Sequence, residues 1–419
     1  MMYARLSLTL GLTLMSGFLA STAVADNWPN WRGPNVDGSS PETGLPAKFS
    51  KTENIKWSLD LPGTSAATPV IWGDRIFLTS VNDVEKTLLA VCVDRKSGKI
   101  AWQHTMGVGV GQDPRSNFAS PSAVTDGNIV VFFFGNGELA AFDFSGKVIW
   151  QRNIQKDYGQ FAFQWTFSSS PVLYNQRLYL QVLQRDVPVN GRGRTDGPND
   201  SYLLAMDPKT GKELWRHIRP ADAVAESREA FSTPIPFSHN GRNELVIVGG
   251  DCITGHNPDT GKELWRWGTW NPTKIPHWRL VPSPAIGGGV ILACGPKGAP
   301  VFAVKAGATG KVADADLAWT SAESRDVTTD VPTPLFYKGR FFILNGGKKI
   351  LNCVEAATGK VIWSGQLDSR PVFESSPTGA DGKIYFMNHK GDAFVVEAGD
   401  QFKLLHTMPM GDESDSSLR

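Results

Sequence analysis

Large polar and aromatic side chains cluster at several places in the chain, spaced by about 50 residues, a period typical of repeat folds. The candidate binding residues at these places are Arg115, Trp165, Arg228, Glu229, His277, Trp278, Arg279, Asp330, Arg370 and Glu374. Guanidinium groups beside aromatic rings can bind an anionic or aromatic ligand, or a peptide. The same arginines and acidic residues could instead neutralise one another and plug the space between them. The residue types therefore predict either a binding surface or a charge-paired plug.

No catalytic motif accompanies these residues in the sequence. The chain contains no G-x-S-x-G, no H-E-x-x-H and no Cys/His zinc cluster. Gly107-Val108-Gly109-Val110-Gly111 has G-x-G spacing, but Asp113-Pro114 follows where a phosphate-binding loop would need a helix. We interpret this segment as a connection, and we predict neither a catalytic residue nor a metal site.

The clusters alternate with a phrase that recurs seven times. A Ser/Thr-Pro step opens a hydrophobic run, and two more apolar runs follow. The last run ends in an acidic residue, before a Gly-Lys turn and a strand that ends in Trp. The opening prolines are Pro69, Pro121, Pro171, Pro234, Pro284, Pro334 and Pro377. Each unit reads as four short strands, which we call A to D, because the runs are β-branched, aromatic and bounded by turn residues.

Four-stranded units at a fixed period predict an all-β fold, a β-propeller. Asn54-Ile55-Lys56-Trp57 looks like a lone strand D before the first repeat, and Ser416-Ser417 falls where an eighth opening phrase would begin. We therefore predict an eight-bladed design with an incomplete last blade. The alternative is a seven-bladed ring in which Trp57 pairs as an extra or replacement strand. In either case the D–A and B–C connections share one face, and the candidate binding residues lie on it.

One B–C connection is longer than the others. The insertion at 185–200 contains Arg192 and Arg194 and accounts for the wide spacing between Pro171 and Pro234. A long loop in a compact repeat is either functional or mobile. We expect it to rise over the same face, as a partner contact or as a solvated tip.

The start of the chain has the pattern of a secretory signal. Arg5 precedes an apolar stretch from Leu6 to Leu19, and Ala23-Val24-Ala25 is an A-x-A cleavage site. We predict a signal peptide at 1–25, an N-terminal extension at 26–56 and a propeller at 57–419. The mature chain would then be periplasmic or extracellular, with no transmembrane segment.

The net charge of +1 gives no electrostatic reason to expect a nucleic acid as partner. Cys92 and Cys353 take the same strand C position in two repeats, so we expect buried free thiols. Cys252 and Cys294 lie in adjacent repeats and could pair in an oxidising compartment.

The A-x-D-x-x-T-G-K-x-x-W pattern, seen from Ala205 to Trp215, resembles the pyrroloquinoline-quinone (PQQ) repeat. The resemblance runs from Trp57 to His406. This repeat builds the quinoprotein alcohol dehydrogenases and the non-enzymatic outer-membrane assembly scaffold BamB, so it implies the fold but not one function.

The sequence departs from the dehydrogenase branch of that family. Those enzymes carry adjacent cysteines and calcium ligands, and many carry a Cys-x-x-Cys-His haem motif. This chain has no adjacent cysteines, no such haem motif and no run with calcium-ligand spacing. The resemblance therefore favours a non-catalytic binding or scaffold module without a cofactor. Its partner would be an envelope or periplasmic protein, or a small anionic or carbohydrate ligand. A carbohydrate would bind to exposed Trp165, Trp270 and Trp278. The alternative is a divergent dehydrogenase that uses PQQ and calcium.

Overall fold

The computed structural model describes residues 27–410 and contains seven sheets, each with four antiparallel strands, which are the blades of a propeller; one sheet gains a short fifth strand. Blades 1 and 2 comprise β1 (Val70–Trp72), β2 (Arg75–Asn82), β3 (Thr87–Asp94), β4 (Ile100–Val108), β5 (Val124–Thr125), β6 (Ile129–Phe133), β7 (Glu138–Asp143) and β8 (Val148–Asn153). The short helix α1 (Ile154–Tyr158) follows, and blade 3 comprises β9 (Val172–Tyr174), β10 (Arg177–Val182), β11 (Tyr202–Met206) and β12 (Glu213–Ile218). A 3-10 turn at Ala225–Arg228 leads to blade 4.

Blade 4 comprises β13 (Ile235–His239), β14 (Arg242–Gly249), β15 (Cys252–His256) and β16 (Glu263–Trp267). Blade 5 comprises β17 (Ala285–Gly287), β18 (Val290–Cys294), β19 (Val301–Lys305) and β21 (Trp319–Thr320), while the intervening β20 (Gly310–Lys311) pairs in parallel with β16. A second 3-10 turn at Asp314–Asp316 precedes β21.

Blades 6 and 7 comprise β22 (Leu335–Tyr337), β23 (Arg340–Asn345), β24 (Ile350–Glu355), β25 (Val361–Gln366), β26 (Thr378–Ala380), β27 (Lys383–Met387), β28 (Asp392–Glu397) and β29 (Leu404–Pro409). The predicted all-β propeller with seven repeats is confirmed. The predicted signal peptide and Ser416-Ser417, on which the prediction of an eighth blade depends, lie outside the described residues.

The Gly-Lys turn of one blade packs beneath the strand D tryptophan of the blade before it. Gly211 has a φ of +68°, and a Cβ there would lie 2.6 Å from the ring of Trp150. Only glycine combines this backbone conformation with so close an approach. The Trp150 indole N–H donates to the Pro208 carbonyl at 2.7 Å. The repeated glycine and tryptophan therefore fasten neighbouring blades to each other.

Trp57 makes the same contacts without belonging to a strand. Its indole N–H donates to the Arg95 carbonyl at 2.8 Å, and a Cβ on Gly98 would meet its ring. Residues 52–61 form no β-ladder with any part of 27–410. The described residues form seven blades, as the alternative prediction had it, but the strand pairing that it expected of Trp57 is not formed. The Trp57 side chain nevertheless takes the position of a strand D tryptophan on blade 1.

The Ser/Thr of each opening phrase connects the blades around the axis. In six of the seven blades this residue donates its backbone N–H to the corresponding hydroxyl of the next blade, at 2.8 to 3.1 Å. We call this series the hydroxyl ladder, and its members are Thr68, Ser122, Ser170, Thr233, Ser283, Thr333 and Ser376. The five inner members are buried, whereas Thr68 and Ser376 at its ends are half-buried.

The N-terminal extension crosses the centre of the propeller. Trp28 pairs with Ile71 of blade 1, the Pro29 carbonyl accepts from Thr125 of blade 2, and Ser40 donates to Gly379 of blade 7. The segment is thus part of the folded unit, because its backbone hydrogen bonds are made to strand A of three blades.

Arg32 is the anchor of this extension. Its buried guanidinium donates to the carbonyls of Asp37, Pro334 and Pro377, at 2.8, 3.0 and 3.0 Å. Burial lowers the pKa of Arg32 to about 10, so it is still a cation at neutral pH. One charged side chain therefore holds the extension to blades 6 and 7.

All four cysteines are free and buried. This agrees with the expectation for Cys92 and Cys353, and the pairing considered for Cys252 and Cys294 is not formed. Cys252 instead contacts two arginines, since its Sγ lies 3.2 Å from nitrogen atoms of Arg219 and Arg266.

Candidate functional site

The D–A and B–C connections form what we call the loop face, and the A–B and C–D turns form the turn face. Hydrogen bonds link the D–A connections to one another. Asp113 accepts from the Thr166 N–H at 2.8 Å. Burial would raise the pKa of Asp113, but hydrogen bonds from Thr166, Arg115 and Ser116 outweigh it and hold the pKa below its usual value. The Asp113 carboxylate thus links two neighbouring D–A connections by hydrogen bonds.

Trp165, Glu226 and Arg279 continue this series across three connections. The indole N–H of Trp165 donates to Glu226 at 2.9 Å, and Arg279 lies 3.7 Å from the same carboxylate oxygen. Arg279 is buried. The structure therefore brings together two predicted residues through Glu226, which the sequence analysis did not single out.

Glu229 is fully buried and accepts from the Gln164 N–H through both carboxylate oxygens, at 3.1 Å each. Arg185, from the start of the long insertion, donates to the same carboxylate. Burial raises the pKa of Glu229 to about 7, against the opposing effect of Arg185. This group therefore changes charge near neutral pH inside the loop face.

Arg115 and Glu374 form an ion pair between connections that are not neighbours in the ring. Glu374 is buried, and His389 of the last B–C connection lies 3.0 Å from its second oxygen. Charge pairing of this kind agrees with the charge-paired plug, one of the two arrangements that the residue types predict.

The remaining predicted residues are spread over the loop face. Arg228 donates to the carbonyls of Ala221 and Ala223 and lies 3.6 Å from Asp186, and Asp330 accepts from the Lys297 N–H at 2.8 Å. His277 and Arg370 are exposed.

The tryptophans considered for carbohydrate binding differ in exposure. Trp278 is half-buried. Trp270 is only 6% exposed and packs near Trp267 in the core, so its expected role as an exposed carbohydrate platform is wrong.

The long insertion folds back onto the loop face. Val189 and Arg192 exchange two backbone hydrogen bonds at 2.9 and 2.8 Å, which closes a tight turn. Asn199 is buried and joins both ends of the loop, because its side chain bonds to the backbone of Arg194 and Asp186. The Arg194 side chain pairs with Asp196. The insertion is therefore held by internal hydrogen bonds, while nine of residues 185–200 are exposed.

A cavity of about 210 Å³ lies where this insertion meets the loops of blades 2 and 3. We call it the loop-face pocket; its lining includes Phe118, Phe161, Phe163, Trp165, Phe167 and Arg192. The phenylalanines interlock, with Phe161 stacked on Phe167 at 4.9 Å between ring centroids. Arg192 is exposed at the rim. The pocket thus combines an aromatic floor with a positive charge at its edge.

The axial cavity is much smaller. Hydroxyls of the ladder and Trp31 of the extension line a space of about 50 Å³. Ligand pockets for small organic molecules measure roughly 300 to 1,000 Å³. Among residues 27–410, no three His, Cys, Asp or Glu side chains come together as metal ligands.

Comparison with known proteins agrees with the fold. The family described as "Outer membrane protein assembly factor BamB" matches residues 47–185, 160–315 and 308–403. Polyvinylalcohol dehydrogenase from a Pseudomonas species is 23% identical over 57% of this chain. The matched part is 40% of the length of that dehydrogenase.

Two solved structures share the architecture at low sequence identity. A europium-containing methanol dehydrogenase has a TM-score of 0.66 at 12% identity, covering 92% of this chain and 86% of its own. BamB from Moraxella catarrhalis has a TM-score of 0.53 at 12% identity, covering 82% and 87%. In residues 27–410, no helix is long and apolar enough to cross a membrane. The chain belongs to the PQQ-repeat propeller family that includes the outer membrane protein assembly factor BamB.

Proposed function

We propose that this propeller is a non-catalytic binding module of the cell envelope that holds a segment of another protein in the loop-face pocket. The observation that carries the proposal is the meeting of Trp165, Phe118 and Arg192 in one aromatic cavity that is open at the loop face. Aromatic floors with an arginine at the rim suit aromatic or acidic side chains of a peptide. Kinship with BamB supports a role in binding protein.

Three acidic residues of the loop face support the same conclusion. Asp113, Glu229 and Glu374 are engaged with backbone N–H groups, arginines or a histidine. Calcium binding takes six to eight oxygen ligands around one ion. The pairing of these three carboxylates with protein groups, together with an axial cavity of about 50 Å³, supports a binding role without a calcium-bound quinone.

Quinoprotein oxidation of an alcohol, with PQQ and calcium, is the second candidate function. The 23% identity to polyvinylalcohol dehydrogenase favours it. A divergent enzyme would have to assemble its cofactor site from residues other than the paired acids just described.

Selection of a random peptide library on the immobilised full chain tests the first candidate. We expect enriched peptides to contain aromatic and acidic residues, and their affinity to fall about tenfold when Arg192→Ala removes the rim charge, an effect typical of an interface arginine. Arg177→Ala is the matched control, because Arg177 pairs with Asp259 on the turn face. Peptides that bind Arg192→Ala and Trp165→Phe proteins as tightly as the unmodified chain would contradict the proposal.

A further inference from the structure

The junction between blades 7 and 1 differs from the six other junctions of the described chain. At each of those six, a backbone N–H donates to a ladder hydroxyl of the next blade. Between Ser376 and Thr68, at the two ends of the ladder, residues 27–410 make no such bond. The Ser376 N–H is therefore left as a donor and the Thr68 hydroxyl as an acceptor.

A cavity of about 390 Å³ lies at this junction, and both ladder ends line it. We call it the wedge. Its blade 7 wall is apolar and contains Tyr385, Met387, Ala393 and Phe394. Three tryptophan and phenylalanine side chains of the extension, Trp28, Trp31 and Phe49, complete the lining.

Two polar groups of the wedge have no partner. The indole nitrogens of Trp28 and Trp31 are buried, and neither finds an acceptor among the described residues. A buried donor without an acceptor costs about 1–3 kcal/mol. A peptide carbonyl is an acceptor that could reach them.

The contact of Trp57 with blade 1 indicates that a strand would fit the junction between blades 7 and 1. Trp57 lies against blade 1 as the strand D tryptophans lie against the blades that follow them. Blade 1 therefore already carries the side-chain contact that a preceding blade would make, and the ends of the ladder in the wedge offer a donor and an acceptor. An extended chain that brings its own Ser/Thr hydroxyl and N–H would extend the ladder by one member.

We propose that the wedge is a docking site for a partner polypeptide, which enters as an extended strand opened by a Ser/Thr-Pro step. Its hydroxyl accepts from Ser376, its N–H donates to the Thr68 hydroxyl, and its apolar side chains pack on Met387 and Ala393. Recognition by strand addition gives affinity through main-chain hydrogen bonds and specificity through alternate side chains. This surface is separate from the loop-face pocket, so the inference goes beyond the proposed function.

A labelled peptide that copies residues 168–181, the opening hairpin of blade 3, is the probe. Fluorescence anisotropy with the full chain is expected to show saturable binding. Thr68→Val in the protein or Ser170→Ala in the peptide should each weaken binding about 3- to 10-fold, the effect of one hydrogen bond. Thr68→Ser, which keeps the hydroxyl, is the matched control and should bind within about twofold of the unmodified chain, since no hydrogen bond is lost.

Met387→Arg places a charge on the apolar wall and should abolish peptide binding, with circular dichroism used to check that the variant folds. Arg192→Ala, in the loop-face pocket, should leave peptide binding unchanged, which separates this proposal from the proposed function. The inference is overturned if no saturable binding is seen up to about 1 mM peptide, the level of weak specific association. Equal affinity for the Thr68→Val and Thr68→Ser proteins would overturn it too. Self-association of the chain that is lost in Met387→Arg would assign the wedge to a second copy instead.

Discussion

Replacing Arg32 by alanine tests whether the N-terminal extension is an integral part of the propeller. The side chain donates three hydrogen bonds to the Asp37, Pro334 and Pro377 carbonyls. Hydrogen bonds from a charged donor contribute about 1.5–3 kcal/mol each to the free energy of unfolding. The lowered pKa, about 10 against 12.5, corresponds to a burial cost of about 3 kcal/mol that opposes them.

The net loss expected for Arg32→Ala is about 3 kcal/mol, because the burial cost disappears together with the bonds. With an unfolding entropy of about 2.1 cal/mol/K per residue, this lowers the Tm by about 4 °C. Arg32→Lys keeps the charge but loses the planar fork that reaches several acceptors, so an intermediate loss is expected.

Thermal unfolding followed by circular dichroism measures the effect, with Arg325→Ala as control, since Arg325 is exposed on the loop face. Because Arg32 titrates near pH 10, the difference should be the same at pH 6 and pH 8. A Tm for Arg32→Ala within about 1 °C of the unmodified chain, or no different from Arg325→Ala, would refute the assignment of Arg32 as the anchor.

Three further predictions concern titration, the ladder and the thiols. The pKa of Glu229 is raised in the folded state, so this group favours folding below its unfolded pKa of about 4.5, and that stability is lost as pH rises through about 7. Glu229→Gln should therefore flatten the fall in unfolding free energy between pH 5 and pH 8. If urea titrations show the same dependence of unfolding free energy on pH in the variant, the prediction is contradicted. Ser283→Ala removes a buried ladder acceptor at 2.8 Å and should cost about 1–3 kcal/mol in chemical denaturation, whereas Ser324→Ala outside the ladder should change little. Because all four cysteines are free, the denatured chain should react with four equivalents of a thiol reagent without reduction; two equivalents would mean that Cys252 and Cys294 pair after all.

The fold was predictable because its determinants repeat along the chain. Each Gly-Lys step and strand D tryptophan signals a contact between blades, as Gly211 and Trp150 demonstrate. A serine or threonine beside each opening proline also repeats, but its role depends on a residue about 50 positions away, in the next blade. Periodicity could therefore locate Ser170 and Thr233 without showing that they bond to the following blade.

The candidate site was less predictable because its partners are distant in sequence and do not repeat. Arg115 pairs with Glu374, and Arg185 with Glu229, and no local pattern links either pair. Arg32 was not singled out for the same reason, since two of its three acceptors are backbone carbonyls more than 300 residues away. Residue type identified the loop face, whereas the packing of loops decides which charges on it are paired.

Isothermal titration calorimetry of the full chain with PQQ, with and without Ca²⁺, tests the proposed non-catalytic role directly. We expect no saturable, Ca²⁺-dependent heat at PQQ concentrations up to about 100 μM, well above the micromolar dissociation constants of specific ligands. Saturable Ca²⁺-dependent binding that is lost in Arg279→Ala would contradict it and favour a quinoprotein oxidoreductase.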